Sequence, residues 1–442
     1  MPPLFFEIAL CSTPSESRDT VMVEKLSKKH YSPHLFDVTQ DIIGALPLKL
    51  VEQWLNSEQT YAAAIQLLES YRVKGYSVSS DSVGLTRLTQ QRGLLEILTM
   101  IDRPKRIIYG YGKAIAGQGV GIWAADNTQM FYPDSVEAAT LIAAMLTIQD
   151  DVARSCQIKI GLAAHYGSFY DISGGLYGAE ADAIEDVAEN HTCGGEILIT
   201  QALRDRLPAD HNFMLEQRPD LIDNFSKELR NIYRVLDGAR LEQIQPIGDR
   251  YPIPYSEEFY IDLLAYENQN PNLSQSLALK YLQKKVVVLV ESKNESMDRH
   301  EVAMFNQLSF TALMKDIGLQ CLGRLGLELS AEVKVINSLG IYAIEQPLLA
   351  LEFAQSFRKA LAEQQITCRI GIDQGEVLMF TLASGTKDIA GAAVNIASKM
   401  AQDCGKFGKI YLSVALEQLA KDNGFQEFST CISEVEFRAY EG

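Results

Sequence analysis

The feature that most constrains this chain of 442 residues is an internal repeat about half as long as the chain. Segments near residues 160 and 370 show the same succession of patterns, a strand, a short strand, a helix and a further strand. Solenoid repeats have only about 20–50 residues. The sequence therefore predicts two copies of one α/β module joined head to tail. The matched positions are Gly178 with Gly391 and Gly195 with Gly408, each 213 apart, and Gly161 with Gly371 and Asp81 with Glu291, each 210 apart.

The repeat predicts four segments. Residues 1–74 read as a mostly helical N-terminal segment and 75–239 as the first copy. Residues 240–283 are rich in Pro, Tyr and Asn and are predicted to be a linker, and 284–442 form the second copy. We expect the N-terminal segment to cap the fold or to pair with another copy of the chain. The alternative is that it passes a regulatory signal to the first copy.

Composition excludes several classes of partner and location. Hydrophobic residues make up 47% and charged residues 22%, which is typical of a globular protein. A net charge of -17 argues against binding to nucleic acid or to an anionic membrane surface. Seven scattered cysteines without a C-x-x-C pair indicate reduced thiols. With neither a signal peptide nor an apolar run of about 18 residues, we expect a soluble, cytoplasmic protein.

The segment 387–404, KDIAGAAVNIASKMAQDC, carries the most informative polar residues of the second copy. Gly391 precedes a helical pattern in which Asn395 and Lys399 are four residues apart and share a face. Asp388 comes just before this helix. A carboxylate, an amide and an ammonium group placed in this way can hold a purine edge, a ribose and a phosphate. The alternative is an ordinary solvated helix face.

The sequence around this helix resembles the catalytic domain of class III nucleotidyl cyclases, the adenylate and guanylate cyclase family. RIGIDQGEV (369–377), DIAGAAVNIASKM (388–400) and GKIYLS (408–413) follow the family patterns RIGI-x-x-G-x-V, D-x-x-G-x-x-V-N-x-A-S-R-M and G-x-I-x-x-S. One departure is Lys399, which replaces the family's arginine. The resemblance implies an α/β (α+β) fold with two ferredoxin-like cyclase domains in an intramolecular pseudo-heterodimer.

The first copy carries two aspartates that resemble the family's metal ligands. Asp81 opens DSVGLT, which is similar to the family motif D-x-x-G-F-T, and Asp126 lies in a predicted β-hairpin. The resemblance implies that this pair binds two Mg2+ or Mn2+ ions. For Asp126 the alternative is an Asp-Asn hairpin turn that needs no metal. The backbone after Asp81 is a candidate phosphate site, formed by Ser82, Val83, Gly84, Leu85 and Thr86.

The two copies divide the candidate residues between them. At the metal positions the second copy has Glu291 and, in our alignment, Ile341. At the positions of Asp388, Asn395 and Lys399 the first copy has Gly175, Asp182 and Asp186. Acidic side chains repel a polyphosphate, so we expect one composite site. The pseudo-equivalent site is then catalytically silent and open to an effector.

Family resemblance implies that Asp388 accepts from an adenine amino group, Asn395 orients the ribose and Lys399 faces the phosphate. The lysine that reads the purine in the family falls on Asn337, which leaves guanine or a pyrimidine open. We expect a cyclase that converts ATP to cyclic AMP. The alternative is an inactive pseudo-cyclase that acts as a nucleotide-binding regulatory or scaffold protein, because Ser168, Glu434 and Glu436 stand where the family has basic residues. Further homodimerisation or a signalling partner stays open.

Overall fold

The protein is described by a computed structural model. The chain forms two compact units. The N-terminal unit contains Leu68–Pro271, and the C-terminal unit contains Asn272–Gly442 together with Leu48–Leu67. The residues that the structure describes are 46–84, 88, 94–121, 123, 126–221, 229, 231–242, 246–247, 251, 253–267, 271–293, 299–336, 338–383, 385–432 and 435–442.

Helices and strands alternate along the described residues. The helices are α1 (Leu48–Leu55), α2 (Tyr61–Leu68), α3 (Leu94–Ala114), α4 (Ala138–Ser155), α5 (Ala179–His191), α6 (Gln201–Arg204), α7 (Glu257–Glu267), α8 (Pro271–Tyr281), α9 (His300–Arg324), α10 (Pro347–Glu363), α11 (Ala392–Ser398) and α12 (Glu417–Asp422). The strands of the N-terminal unit are β1 (Arg72–Val83), β2 (Gln118–Val120), β3 (Thr128–Pro133), β4 (Lys159–Ile172), β5 (Gly175–Tyr177), β6 (Ile197–Thr200), β7 (Met214–Gln217) and β8 (Ile232–Asp237). Those of the C-terminal unit are β9 (Leu282–Ser292), β10 (Glu332–Ile336), β11 (Leu339–Ile344), β12 (Cys368–Thr381), β13 (Lys387–Ala390), β14 (Ile410–Ser413), β15 (Gln426–Ile432) and β16 (Val435–Glu441).

Each unit is built on one eight-stranded sheet, and the two sheets have the same topology. The order is β2-β3-β1-β4-β6-β8-β7 in the N-terminal unit and β10-β11-β9-β12-β14-β16-β15 in the C-terminal unit. The short strands β5 and β13 pair with β4 and β12. Only the pairs β4–β6 and β12–β14 are parallel among the described strands. The predicted mixed α and β fold with two like domains is confirmed.

Both sheets are covered on their two faces. In the N-terminal unit α3 and α4 pack on one face, whereas α5 packs on the other. In the C-terminal unit α9 and α10 cover one face and α11 the other. In β9 the run Val286–Val290 is apolar and every residue is buried, whereas β1 also buries the polar side chains of Ser77, Ser79 and Ser80.

The helix that carries Asn395 begins where the sequence predicted. Gly391 precedes α11 with φ 150°, and Gly178 precedes α5 with φ 129°, a backbone region that side chains with a Cβ rarely adopt. Gly371 of β12 lets α11 approach closely, because a Cβ at this position would lie 2.0 Å from the carbonyl oxygen of Ala397. Gly391 therefore sets the direction in which α11 starts, and Gly371 allows α11 to lie close to the sheet.

The strand registers correct one of the sequence matches. Leu162 of β4 pairs with Ile197, and Ile370 of β12 pairs with Ile410, so Leu162 corresponds to Ile370. The counterpart of Gly161 is then Arg369, two residues before the predicted Gly371. A shift of two residues keeps each side chain on the same face of the sheet, so the apolar pattern cannot detect it.

The described N-terminal helices pack with the C-terminal half of the chain. Trp54 of α1 is 1% exposed, and its ring stacks on Phe305 of α9 with the ring centroids 4.5 Å apart. In the same region the guanidinium of Arg299 lies over the ring of Tyr61 at 4.2 Å. Through these contacts α1 and α2 cap the C-terminal unit. None of the described helices has both the length and the apolar composition needed to cross a bilayer.

We expect Trp54→Ala to destabilise the C-terminal unit by about 3–5 kcal/mol, because it leaves a cavity and removes a stacked ring. Hydrogen exchange of the α9 amides measures the change in that unit alone. Leu48→Ala is the matched control, since Leu48 lies in the same helix and is 37% exposed; we expect a change within about 0.5 kcal/mol. Equal exchange in the two variants would contradict the capping role of α1.

Candidate metal and nucleotide site

The two predicted metal ligands lie at the same end of neighbouring strands. Asp81 belongs to β1, which continues for two residues beyond it, to Val83. Asp126 precedes β3 by two residues. The strands pair so that Ser80 lies opposite Thr128, with their hydroxyl oxygens 2.6 Å apart. This register brings the two aspartates together.

The two carboxyl groups interact directly. Burial, the neighbouring charge of Asp126 and that of Glu189 raise the pKa of Asp81 to about 8, and the two side chains are hydrogen-bonded to each other. Burial also raises the pKa of Asp126, against the opposing effects of the Ser82 backbone amide and of the Lys105 ammonium. At neutral pH one proton is therefore held between two oxygens that would repel each other if both groups were ionised.

Such a pair fits a divalent cation. Carboxylate oxygens are the preferred ligands of Mg2+ and Mn2+, and a cation placed between them replaces the shared proton and removes the repulsion. No group of three or more acidic, histidine or cysteine side chains suited to a metal occurs among the described residues. The remaining ligands are thus left to backbone, water or phosphate oxygens, as is usual for Mg2+.

The corresponding position of the C-terminal unit holds an ion pair. Glu291 lies opposite Arg369 in the sheet, and the Arg369 Nε is 2.5 Å from the Glu291 carboxylate. Arg369 also donates to the carbonyl oxygen of Gly405 at 2.8 Å. A fixed guanidinium thus neutralises the carboxylate where a metal would sit in the other unit.

The strand register also corrects the assignment of Ile341 to the second metal position. Leu339 pairs with Glu291, and Gly340 with Val290, so the counterpart of Asp126 is Ser338. Ile341 itself is 8% exposed and packs in the core. Neither residue is a carboxylate, so the C-terminal unit still lacks the metal pair.

Asp388 is held by a lysine that the sequence analysis missed. Asp388 is 7% exposed, one of its carboxylate oxygens accepts from the Ile389 amide at 2.8 Å, and the other lies 3.5 Å from the Lys334 ammonium. Lys334 belongs to β10, the first strand of the hairpin. In the sequence, the family's purine-reading lysine falls on Asn337, three residues later, which lies outside the described residues.

The sequence did contain a signal for Lys334. It is the only basic residue of its hairpin, which comprises β10 and β11. A bulge between Glu332 and Lys334 interrupts the regular alternation of side chains along the strand. The face of the sheet on which Lys334 lies could therefore not be predicted from that alternation. Val120 takes the equivalent place in the N-terminal unit, opposite Gln129, and is buried.

Asn395 and Lys399 follow Asp388 on α11. Asn395 is half-buried and lies in the last turn of the helix. Lys399 begins a π-helical turn, Lys399–Asp403, and its ammonium is 3.4 Å from the Asp403 carboxylate. Single π-helical turns inside helices are frequent at functional sites. Lys399 is therefore engaged by a carboxylate that is itself partly exposed.

The equivalent helix of the N-terminal unit has the opposite charge. Asp182 and Asp186 of α5 occupy the places of Asn395 and Lys399, and both are exposed. Asp186 accepts from the Asn190 side chain at 2.8 Å and lies 3.8 Å from a His191 ring nitrogen. A polyphosphate would meet two carboxylates here.

The candidate phosphate segment is described only in part. Ser82 is buried, its backbone amide serves the aspartate pair, and Val83 and Gly84 are exposed. Gly84 has φ 82°, so the chain turns sharply after β1. Leu85 and Thr86 lie outside the described residues.

A cavity of about 660 Å3 opens in the C-terminal unit at the end of the sheet remote from Glu291. Lys285, Phe380 and Lys387 are among its lining residues. Asp388, Asn395 and Lys399 are not. The cavity is thus separate from the residues that are predicted to bind the nucleoside.

Comparison with known proteins identifies the fold family. Residues 211–441, more than half of the chain, match the family model "Adenylate and Guanylate cyclase catalytic domain". A search of curated protein sequences gave no match.

Solved structures to which this chain is similar include a class III adenylyl cyclase-like ATP-binding protein from Pseudomonas aeruginosa. It is 13% identical, the alignment covers 80% of this chain and 86% of that one, and the TM-score is 0.49. The adenylyl cyclase CyaB from the same organism is 16% identical over 38% of this chain and 96% of its own, with a TM-score of 0.33. The catalytic core of a rhodopsin-guanylyl cyclase is 22% identical over 36% and 95%, with a TM-score of 0.29.

The aspartate pair predicts a stability that depends on pH. Because the pKa of Asp81 is raised from 3.8 to about 8, its contribution to stability is present at low pH and is lost as the pH rises through this window. We expect Asp81→Asn to raise the Tm at pH 8, by about 2–4 °C for each kcal/mol of repulsion removed. Calorimetry without divalent ions measures it. An unchanged or lower Tm at pH 8 would contradict the predicted repulsion.

Proposed function

We propose that this chain, which belongs to the adenylate and guanylate cyclase catalytic domain family, converts ATP to cyclic AMP and pyrophosphate. The observation that carries the proposal is the complementary content of the two units. The N-terminal unit has the paired carboxyl groups of Asp81 and Asp126, and the C-terminal unit has Lys334 and Asp388 together with Asn395 and Lys399.

We propose that the reaction needs residues from both units, the metal pair from one and the nucleoside-binding residues from the other. Each unit supplies only part of the required chemistry. Arg369 blocks the metal position of the C-terminal unit, and Asp182 and Asp186 make the nucleoside position of the N-terminal unit repulsive to phosphate. The opposite combination, of the metal position of the C-terminal unit with the nucleoside position of the N-terminal unit, then has no catalytic activity.

Adenine is the base that we assign to Lys334 and Asp388. The Asp388 carboxylate, which already accepts from the Ile389 amide and pairs with Lys334, also accepts from the exocyclic amino group, and the Lys334 ammonium donates to the adjacent ring nitrogen. Because both groups are largely shielded from water, each charge-assisted hydrogen bond contributes on the order of 1.5–3 kcal/mol. The pairing of the two residues with each other keeps both oriented before the base arrives.

The reaction is an in-line displacement at the α-phosphorus. The ribose 3'-oxygen forms a bond to phosphorus, the bond to the pyrophosphate oxygen breaks, and the hydroxyl proton passes to solvent water. Asp81 and Asp126 would hold two Mg2+ or Mn2+ ions, which lower the pKa of the attacking hydroxyl and neutralise the triphosphate. Asp81 must give up its shared proton for this role.

Asn395 and Lys399 act on the ribose and the phosphate. The Asn395 amide orients the ribose so that the 3'-oxygen faces the phosphorus. Lys399 exchanges Asp403 for a phosphate oxygen, which costs little because an exposed lysine–carboxylate pair is worth only about 0–1 kcal/mol. A lysine contacts phosphate as a point charge and fixes its orientation less well than an arginine would.

A second candidate function is an inactive pseudo-cyclase that binds nucleotide as a regulatory or scaffold protein. It is favoured by the scarcity of basic groups for the triphosphate. The Arg438 guanidinium is 62% exposed and lies 3.9 Å from Glu427, and Lys399 is paired with Asp403. Under this alternative the nucleotide binds through Lys334 and Asp388 without turnover.

A direct assay separates the two candidates. Purified chain is incubated with each nucleoside triphosphate and Mn2+ or Mg2+, and cyclic products are measured by mass spectrometry. We expect cyclic AMP from ATP and a loss of about 100-fold or more in Asp81→Asn and in Asp126→Asn, because the metal contributes several kcal/mol to the transition state. Asp220→Asn, which changes an exposed carboxylate of the same unit, is the control.

The outcomes of this assay differ between the candidates. Nucleotide binding without product, equal in the aspartate variants and the control, would establish the pseudo-cyclase. Cyclic GMP as the main product would support the reaction and overturn the assignment of adenine.

Lys334 has its own test. Lys334→Met should weaken ATP binding about 10–100-fold by removing one charge-assisted hydrogen bond and by leaving Asp388 buried without its partner. Isothermal titration with a non-hydrolysable ATP analogue measures the change. Lys421→Met is the control, since Lys421 is exposed and pairs with Glu417 in the same unit. Equal affinity of the two variants would show that Lys334 does not contact the base.

A further inference from the structure

Tyr251 is buried although it lies in the segment 240–283, which its composition predicts to be a linker. The residue is 2% exposed and groups with the N-terminal unit. Its ring stacks on Trp123, with ring centroids 5.4 Å apart and planes 20° apart. The linker is thus inserted into the fold at this point.

Trp123 connects Tyr251 to the loop that carries Asp126. It precedes Asp126 by three residues and is 1% exposed. Its indole N–H donates to the carbonyl oxygen of Val120 at 2.9 Å, and its ring packs edge-on against Tyr109 of α3 at 6.0 Å. Two aromatic rings and one hydrogen bond therefore fix the start of the loop that ends at the metal pair.

A buried charged cluster lies beneath the same loop. The Tyr251 hydroxyl donates to Asp102, which is 2% exposed and also pairs with the Arg106 Nε at 2.8 Å. Lys105 is 1% exposed and donates to the carbonyl oxygen of Trp123. All three charged residues belong to one stretch of α3. The Lys105 ammonium is attracted by the charges of both Asp102 and Asp126.

We propose that Tyr251 is a positioning residue of the metal site, so that docking of the linker and binding of a divalent cation are coupled. The path of contacts runs from Tyr251 through Trp123 to the Asp126 loop, and from Tyr251 through Asp102 and Lys105 to the same loop. When Tyr251 leaves its place, Trp123 loses the ring that stacks on it, and the buried Asp102 carboxylate loses the hydroxyl that donates to it. The loop then loses the support that keeps Asp126 beside Asp81.

Coupling of this kind is reciprocal. If the docked linker increases the affinity for the cation by some factor, the cation stabilises the docked linker by the same factor. Residues that orient a metal ligand typically change metal affinity by about 10–100-fold when they are removed. The inference rests on the proposed metal site, because the cation must bind at Asp81 and Asp126.

Two measurements on the full chain test the inference. Isothermal titration with Mn2+ gives the affinity, and hydrogen exchange with mass spectrometry gives the protection of the peptide that contains Tyr251, with and without Mn2+. We expect Tyr251→Ala to weaken Mn2+ binding about 10-fold or more. Tyr251→Phe, which keeps the stacked ring and loses only the hydroxyl, should weaken it less. In the wild-type chain Mn2+ should slow exchange in the Tyr251 peptide.

Tyr233→Ala is the matched control. Tyr233 is also buried, its hydroxyl donates to Gln201 at 2.5 Å, and its ring lies under Arg204. It belongs to β8, which β1, β4 and β6 separate from β3 in the sheet. We expect its Mn2+ affinity to equal that of the wild-type chain, so a general loss of stability cannot imitate the effect of Tyr251→Ala.

The possible results separate this inference from the proposed function. Mn2+ binding that Asp126→Asn abolishes, but that is unchanged in Tyr251→Ala and gives no protection of the Tyr251 peptide, would overturn the coupling and leave the metal site intact. Mn2+ binding that survives both Asp81→Asn and Asp126→Asn would overturn the proposed metal site and the coupling with it. If Tyr251→Ala fails to fold, Tyr251→Phe and the exchange of the wild-type chain still decide the question.

Discussion

The repulsion between two carboxyl groups that the sheet brings together is the constraint on which the account depends. Asp81 and Asp126 share a proton because neighbouring strands end at the same place and because burial removes the water that would separate their charges. A protein core gains nothing from such a pair. Its presence at the end of a strand, next to a sharp turn, supports the proposed cation site.

The two units share one topology but carry different side chains at the candidate site. They share strand order, the glycine before the helix and the positions of the core helices, so the difference lies in a few side chains. Where the N-terminal unit pairs the carboxyl groups of Asp81 and Asp126, the C-terminal unit pairs Glu291 with Arg369. Where the C-terminal unit pairs Lys334 with Asp388, the N-terminal unit has Val120 and Gly175.

Sequence patterns predicted the elements better than the registers. The helix after Gly391 and the strand that ends near Asp81 follow from periodicity and from backbone requirements that few residues meet. The residues of the C-terminal unit that correspond to Gly161 and Asp126 could not be predicted in this way, because a shift of two residues leaves each side chain on the same face of the strand. Lys334 was missed because a bulge changes the side-chain alternation of its strand. Tyr251 is buried, although the polar, proline-rich sequence around it predicts an exposed linker. Contacts between residues far apart in the sequence decide such positions.

The most direct test is a crystal structure of the full chain with Mn2+ and a non-hydrolysable ATP analogue, in which anomalous scattering locates the metal. The account predicts a manganese peak between Asp81 and Asp126, coordinated by the phosphates of a nucleotide whose base contacts Lys334 and Asp388 of the same chain. A nucleotide bound to either set of residues without the other, or manganese bound away from both aspartates, would contradict it.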